Sequence, residues 1–411
     1  MRFAISGGWV FDGEANVCTP DAAVVVNDGV VEAITSLSDF DRMYPNVPIS
    51  HRFDGCTVLP GFVNTHSHLT MPGDGSVIDE AMRVGDDALL LRAKRNAWCS
   101  LQAGVTTVTD LGARNSVSFA LRSSIAKQTV PGPRLVLAGR PFTSKKGHCW
   151  HMGGEVETVS EIEKLAKTLL DEGADVLKVM ASGGGTPGSD PYNPQFDVEH
   201  LRTMGEEARK AGKPFVAHCT CTEAIRLSLA AGASIIAHGM FMEPDGSMRF
   251  ADEVSKEALD RGVYWNPTLE VAGSLVRALR QSEAESESQL KAREDQYKRR
   301  AEHVNRLYNS GAQIISGSDE GWRFNRFGNF AKEIEALVID AGMKPIDAIK
   351  GATSTAAKAL RISDRVGSLL PGRKADVLIV EGCAFEDITA LQRVRAVFLE
   401  GQPVPVVQNM M

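Results

Sequence analysis

The run Thr57-Val58-Leu59-Pro60-Gly61-Phe62-Val63-Asn64-Thr65-His66-Ser67-His68 decides how the rest of the chain is read. An apolar segment delivers two imidazoles, one residue apart, into a turn. In a strand, residues i and i+2 point to the same face, so both rings can reach one point in space. That arrangement suits a metal ion better than a hydrophobic core. Three letters recur by chance, however, and the motif gains weight only from partners downstream.

Those partners fall on a regular framework. Apolar runs at 58–63, 105–109, 134–138, 175–180, 214–217, 234–237, 263–265 and 313–316 read as strands. Amphipathic segments such as Ile162–Leu170 and Leu201–Ala208 lie between them. Eight strands alternating with helices predict an α/β fold of the (β/α)8 TIM-barrel type; a doubly wound sheet is the rival. The even spacing and the placement of the chemical residues favour the barrel. The charged stretch 270–308 reads as one long helix inserted after the seventh strand, with a solvated or oligomer-contacting face.

The two ends differ from the middle. Ala23–Val26 and Val30–Ile34 flank Asn27-Asp28-Gly29, a hairpin signal because these residues tolerate positive φ. Ala375–Val380 and Val394–Gly401 repeat the style. Chain ends commonly lie close together. The expected division is therefore 1–56 and 363–411 in one small β-sandwich, with 57–362 as the barrel.

Composition narrows the function. A net charge of −7 and the absence of a basic, aromatic-laced stripe argue against nucleic acid as a partner. No apolar run reaches the roughly 20 residues a membrane crossing needs. The first residues read as a strand entering a turn and not as a signal peptide. Seven scattered cysteines point away from a disulfide framework and toward a reducing cytoplasm. Cys219 and Cys221 lack CxxC spacing and read as packing residues.

Active sites of barrels collect at the C-terminal ends of strands. Strand one ends at His66 and His68, strand five at His218, strand six at His238 and strand eight at Asp319. Strand four carries Lys178 amid apolar neighbours. A lone strand-end histidine is more often structural; four of the nine histidines plus an aspartate at such ends reverse that reading. A buried lysine is rare unless engaged. One engagement is carbamylation by CO2, which a neutral, desolvated amine permits and which yields a carboxylate able to bridge two cations.

These segments, with Ala103-Gly104-Val105-Thr106-Thr107-Val108, Lys178-Val179-Met180-Ala181-Ser182-Gly183-Gly184, Ala237-His238-Gly239 and Leu370-Pro371-Gly372-Arg373-Lys374-Ala375-Asp376, resemble the amidohydrolase superfamily over nearly the whole chain. The likeness is to its branch of metal-dependent dipeptidases and amidases, close to imidazolonepropionase. The resemblance implies that His66, His68 and Asp319 bind the more buried of two divalent metal ions. His218 and His238 would bind the second, and carbamylated Lys178 would bridge them. It implies a small-molecule substrate and, since relatives commonly associate, a homo-oligomer.

Imidazole and carboxylate ligands suit zinc, without excluding manganese or iron. Two cations roughly 3.5–4 Å apart can share a hydroxide and polarise a scissile carbonyl. Water on a metal loses its proton near pH 7. Asp319 would accept that proton and return it to the leaving nitrogen. Gly147-His148-Cys149 resembles a family segment whose histidine steadies the carbonyl oxygen, which makes His148 the second catalytic candidate. His151 is a weaker candidate, while His51, His200 and His303 read as ordinary surface or helix residues.

Two positions depart from the dipeptidase pattern. Thr220 stands where a tyrosine commonly meets the substrate carboxylate, and Arg326-Phe327-Gly328 stands where a histidine is common. Trp322, Phe324 and Phe327 make that end more apolar, leaving Arg323 or Arg326 to hold an anion. The leading expectation is hydrolysis of an amide-type C–N bond in an N-acyl amino acid, a dipeptide or a small aryl or cyclic amide. A carbamate, urea or lactam is the alternative. Deamination is disfavoured, because the third residue after His218 is Cys221 and not glutamate, and because deaminases lack the strand-four lysine. A non-catalytic scaffold is disfavoured because all six ligand positions are present.

Overall fold

The computed structural model describes residues 1–76, 78, 82–282 and 285–405. Its strands are β1 (Arg2–Val10), β2 (Thr19–Asn27), β3 (Val30–Ser36), β4 (Ile49–Pro60), β5 (Phe62–Ser67), β6 (Val105–Asp110), β7 (Arg134–Leu137), β8 (Leu177–Met180), β9 (Phe215–Cys221), β10 (Ile235–Met242), β11 (Tyr264–Asn266), β12 (Gln313–Ile314), β13 (Val377–Glu381), β14 (Val394–Leu399) and β15 (Gln402–Val404).

Both ends of the chain meet in one seven-stranded sheet, ordered β15-β14-β13-β4-β1-β2-β3. Strand β4 lies between β1, its parallel partner, and β13, its antiparallel one. The β2–β3 hairpin turns through Asp28 and Gly29 at φ +50° and +79°, as the Asn-Asp-Gly run requires. Phe3, Ile5, Val24, Val26, Val377 and Phe398 pack into one apolar cluster on this sheet.

The middle of the chain is α/β, and its strands are parallel. Five form the order β12-β11-β10-β9-β8 and three the order β5-β6-β7. Hydrogen bonds cross both seams between these sheets. Asp175 N donates to Leu137 O (2.8 Å), and Phe142 N donates to Lys178 O (2.8 Å). On the other side Thr65 N donates to Ser316 O (3.1 Å), and Asp319 N to His66 O (2.8 Å). Such strands are buried on both faces, which is why they read as near-continuous apolar runs. The helices follow their sequence signals: Val159–Asp171 starts at a Thr158/Glu161 capping box, and Val198–Lys210 at an Asp197 cap.

Two expectations are corrected. The run 58–63 is not one strand, because the chain passes from β4 into β5 at Gly61. A Cβ there would lie 2.3 Å from Thr106 Oγ1, so only glycine allows the two sheets to approach. His66 is thus inside β5, with His68 just beyond it. The stretch 270–308 is two helices, Leu269–Ser282 and Glu287–Asn309, the second opened by a Ser286/Gln289 capping box. Nor is its face wholly solvated, since Arg300, Ala301, His303, Val304 and Leu307 are buried. Among the described residues no helix is long and apolar enough to cross a membrane.

Candidate metal centre

Strand geometry carries the predicted residues to one end of the parallel sheets. His66 Nε2 and His68 Nε2 lie 3.6 and 3.4 Å from Asp319 Oδ1. One ligand-type atom from each of the three residues falls within 4.8 Å of the others. The backbone holds this registration: Asp319 N binds His66 O, and His68 N binds Glu320 O. Asp319 and His238 adopt left-handed backbone, at φ +57° and +67°. Such conformations cost on the order of 1–3 kcal/mol each and persist where the surroundings over-determine them. At His238 the cause is a register shift between β10 and β9.

The rings form a continuous cluster. Centroids of His66 and His238 are 5.1 Å apart, of His238 and His218 4.5 Å, and of His218 and His148 4.4 Å. Hydrogen bonds fix which nitrogen faces inward. His218 Nε2 is 3.0 Å from Gly183 O; a carbonyl only accepts, so that nitrogen carries the proton and Nδ1 keeps its lone pair. His238 Nδ1 pairs with Thr268 Oγ1 at 2.7 Å. Thr186 Oγ1 accepts Cys149 N–H (3.0 Å) and lies 2.9 Å from His148 Nδ1. His148 Nε2 lies 3.6 Å from Cys149 Sγ and is the nitrogen a Cβ on Gly184 would meet at 2.7 Å.

Lys178 is the centre's electrostatic anomaly. Its side chain is 1% exposed, and Nζ has no hydrogen-bond partner among the described residues. Burial, opposed in part by the Asp319 carboxylate, lowers its pKa to about 8. Burial first, and the neighbouring lysine and histidines after it, hold His66, His148, His218 and His238 well below the usual imidazole range. They are therefore neutral at pH 7, the form that ligates metal.

The donor set fits a cation. His68 Nδ1 lies 3.4 Å from Gly112 O, and its Nε2 lies 3.4 Å from Asp319 Oδ1. His66 Nδ1 and Lys178 Nζ are buried without partners among the described residues. Buried nitrogens without partners are costly unless a bound group satisfies them. Two imidazoles and a carboxylate match a zinc-type ligand set. Behind them, Asn64 receives His66 N and Ser318 N on Oδ1 and donates through Nδ2 to Ser318 Oγ and Glu320 Oε2. This network stiffens the His66 and Asp319 segments together.

All six predicted ligands and His148 line one cavity of about 120 Å³, together with Cys149, Thr220, Met240, Val271, Arg300 and Trp322. A larger groove of about 480 Å³, between Met242–Met248 and the helix Glu287–Asn309, contains none of the predicted ligands. Sequence reasoning missed two buried residues near the cluster, Asp110 and Arg300. Asp110, at the end of β6, is buried with its carboxyl pushed up to about 7 by burial, and its letter at a strand end was a usable signal. Within and beside the quoted Lys178–Gly184 motif, a Cβ on Gly184 would lie 2.7 Å from His148 and one on Gly185 2.8 Å from Trp322. Arg300 reaches the cavity from the helix read as solvated.

Other residues stay outside. Arg326 is exposed, and Arg323 does not line the cavity. His51 packs on Phe3 and Phe398, His200 bonds Asp197, and His303 is buried against Phe241 and Phe250 instead of lying at the surface. His151 sits in the turn Trp150–Met152 and is not among the cavity residues. Cys219 and Cys221 belong to the apolar core.

Comparison with known proteins agrees with this geometry. The amidohydrolase family model matches residues 57–404. The chain is 25% identical over 418 residues to an ochratoxinase of Aspergillus niger, covering 92% of this chain and 81% of that protein. It is 24% identical over 391 residues to the imidazolonepropionase of Micrococcus luteus, covering 91% and 90%. A solved Xaa-Pro dipeptidase superposes with a TM-score of 0.83 at 25% identity, covering 98% of this chain and all of that one. With a family match across most of the chain and a strand-end cluster of the kind that hydrolyses C–N bonds, the protein belongs to the amidohydrolase family and is a hydrolase acting on C–N bonds.

Proposed function

We propose that the protein hydrolyses an amide-type bond in an N-acyl amino acid, a dipeptide or a small aryl or cyclic amide, at a centre for two divalent metal ions. The observation that carries this reading is the convergence of His66, His68 and Asp319 within 4.8 Å, beside the unpartnered Lys178 Nζ. His66, His68 and Asp319 would hold one ion and His218 and His238 the other, with carbamylated Lys178 common to both. Zinc suits this set. When bound, such ions polarise a carbonyl and lower the pKa of water.

The chain's own residues do the rest. Asp319 takes the proton of the attacking water and delivers it to the departing nitrogen. His148 donates to the carbonyl oxygen as charge gathers there. Trp322 lies against His148 and His68, with centroids at 5.5 and 6.5 Å, and excludes water from that wall. The eight parallel strands close as a (β/α)8 barrel over 57–362, a reading supported by the hydrogen bonds across both seams. The terminal sheet of 1–56 and 363–411 folds over its shared apolar cluster as a sandwich. Seven free cysteines support a reducing, cytoplasmic setting.

A second reading has its own observation. The Thr220 hydroxyl is spent within the protein, on Ser182 Oγ (2.7 Å), Gly183 O (3.2 Å) and Pro191 O. It therefore offers nothing to a substrate carboxylate, which favours a carbamate, urea or lactam. A hydrolysis screen with zinc and bicarbonate decides between the readings. It should cover N-acyl amino acids, dipeptides, aryl amides, carbamates, ureas and lactams. Chelator-sensitive turnover of an amide class is the expected result; cleavage of no C–N bond in any class would overturn the proposal.

A further inference from the structure

Arg300 is, with Lys178, one of two buried cationic side chains that line the cavity. It is 7% exposed on the helix Glu287–Asn309 and lines the cavity beside Val271 and Met240. Its guanidinium is always charged and offers five N–H donors in a planar fork. Only Nη2 is engaged among the described residues, to Pro267 O (2.9 Å), Thr268 O (3.0 Å) and Thr268 Oγ1 (3.4 Å). Among the described residues no carboxylate comes within 4.0 Å of it. Glu333 and Asp319 act on it only from farther away. Glu333 itself is occupied, accepting Leu269 N and Glu270 N at 3.1 and 2.7 Å.

A buried cation without a counter-ion is costly unless an anion arrives to pair with it. The other cationic side chain of the lining, Lys178, belongs to the proposed metal-bridging set, which leaves Arg300 as the partner for an anion. Arg300 also lies at one end of the cluster. Thr268, which it grips, pairs with His238, whereas Trp322 caps the His148 and His68 end. A ligand laid across the cavity would meet an aromatic wall at one end and a guanidinium at the other.

We infer that Arg300 is the specificity-determining residue that binds a substrate carboxylate, so that the amide cleaved belongs to a molecule with a free acid group. This rests on the proposed amide hydrolysis and selects the acid-bearing class within it. A carboxylate matches the free edge of the guanidinium and would form the paired hydrogen bonds that ammonium groups cannot offer.

The test uses a panel of N-benzoyl amino acids, each as the free acid and as its primary amide, which keeps the scissile bond and removes only the anion. Binding to the zinc-loaded protein is measured by calorimetry at low temperature, alongside the ratio of kcat/KM for acid over amide. The expected wild-type preference for acid over amide is about 100-fold, collapsing to within a few-fold in Arg300→Met. Arg300→Lys, which retains charge without the fork, should fall between. Equal binding of acid and amide by the wild type would overturn the inference. So would an Arg300→Met variant that weakens both ligands alike, the mark of a merely structural role, or one that leaves the preference intact. Binding with the expected preference but no hydrolysis would instead defeat the amidase reading and leave Arg300 as an anion site.

Discussion

The floor of the cavity and its wall are built by different rules. The floor takes His66, His218 and His238 from strands β5, β9 and β10 and Lys178 from β8, with His68 just beyond β5 and Asp319 beyond β12. Each sits on a parallel strand or in the segment that follows one. The wall takes Trp322 from a loop and Arg300 from a helix, while the proposed carbonyl donor His148 comes from a separate turn that hangs on Thr186 and Gln195. Chemistry that must tolerate no displacement sits on strands, and discrimination that varies between relatives sits on loops and helices. Breaking the floor should therefore cost turnover or metal. Breaking the wall should alter which substrate is used.

The largest effect is expected at the floor. Asp319→Asn should lower kcat by about 10³-fold, because the amide cannot accept the water's proton. Steady-state kinetics with little change in substrate binding would support that assignment, whereas a modest loss would remove Asp319 from proton transfer. Next comes Lys178→Ala, for which we expect about a 10²-fold loss of activity, lowered metal content by mass spectrometry and partial recovery with added short carboxylic acids. Full activity with two metals retained would rule out the carbamate.

At the wall, Trp322→Ala should change the relative kcat/KM of aromatic and aliphatic acyl groups by about tenfold with metal content unchanged. Loss of metal in that variant would erase the distinction drawn between floor and wall. The smallest effect concerns stability. Burial raises the Glu333 carboxyl from its ordinary 4.5 to about 8. Between those values the folded chain holds a proton that the unfolded chain has released, so stability falls as pH rises through the window. Glu333→Gln should remove up to about one proton from that slope, read from denaturant midpoints across pH. An unchanged slope would show that Glu333 is already ionised in the folded protein.

The same contrast explains what was legible in the amino-acid sequence. Strand interiors announce themselves as apolar runs, and a histidine, lysine or aspartate at such a run is conspicuous, so the six floor residues could be listed without coordinates. The break at Gly61 was hidden, because it depends on how closely Thr106 approaches from β6. The left-handed backbone at His238 and Asp319 was hidden as well, since it follows from register and seam contacts. Arg300 was masked by the charged helix around it. A signal existed: Arg300, His303, Val304 and Leu307 repeat at the three- and four-residue spacing of an inward face. The dense Glu, Lys and Arg of that stretch concealed it. Arg323 and Arg326 attracted notice by their nearness in sequence to Asp319, and neither lines the cavity.

The central claim is that C–N hydrolysis depends on metal held by the strand-end cluster. Zinc titration of the metal-free protein, with bicarbonate present and an amide substrate followed continuously, tests it most directly. Activity should be absent at the start and rise until two equivalents of zinc per chain have been added. Full activity in the metal-free, chelator-treated protein would contradict the account.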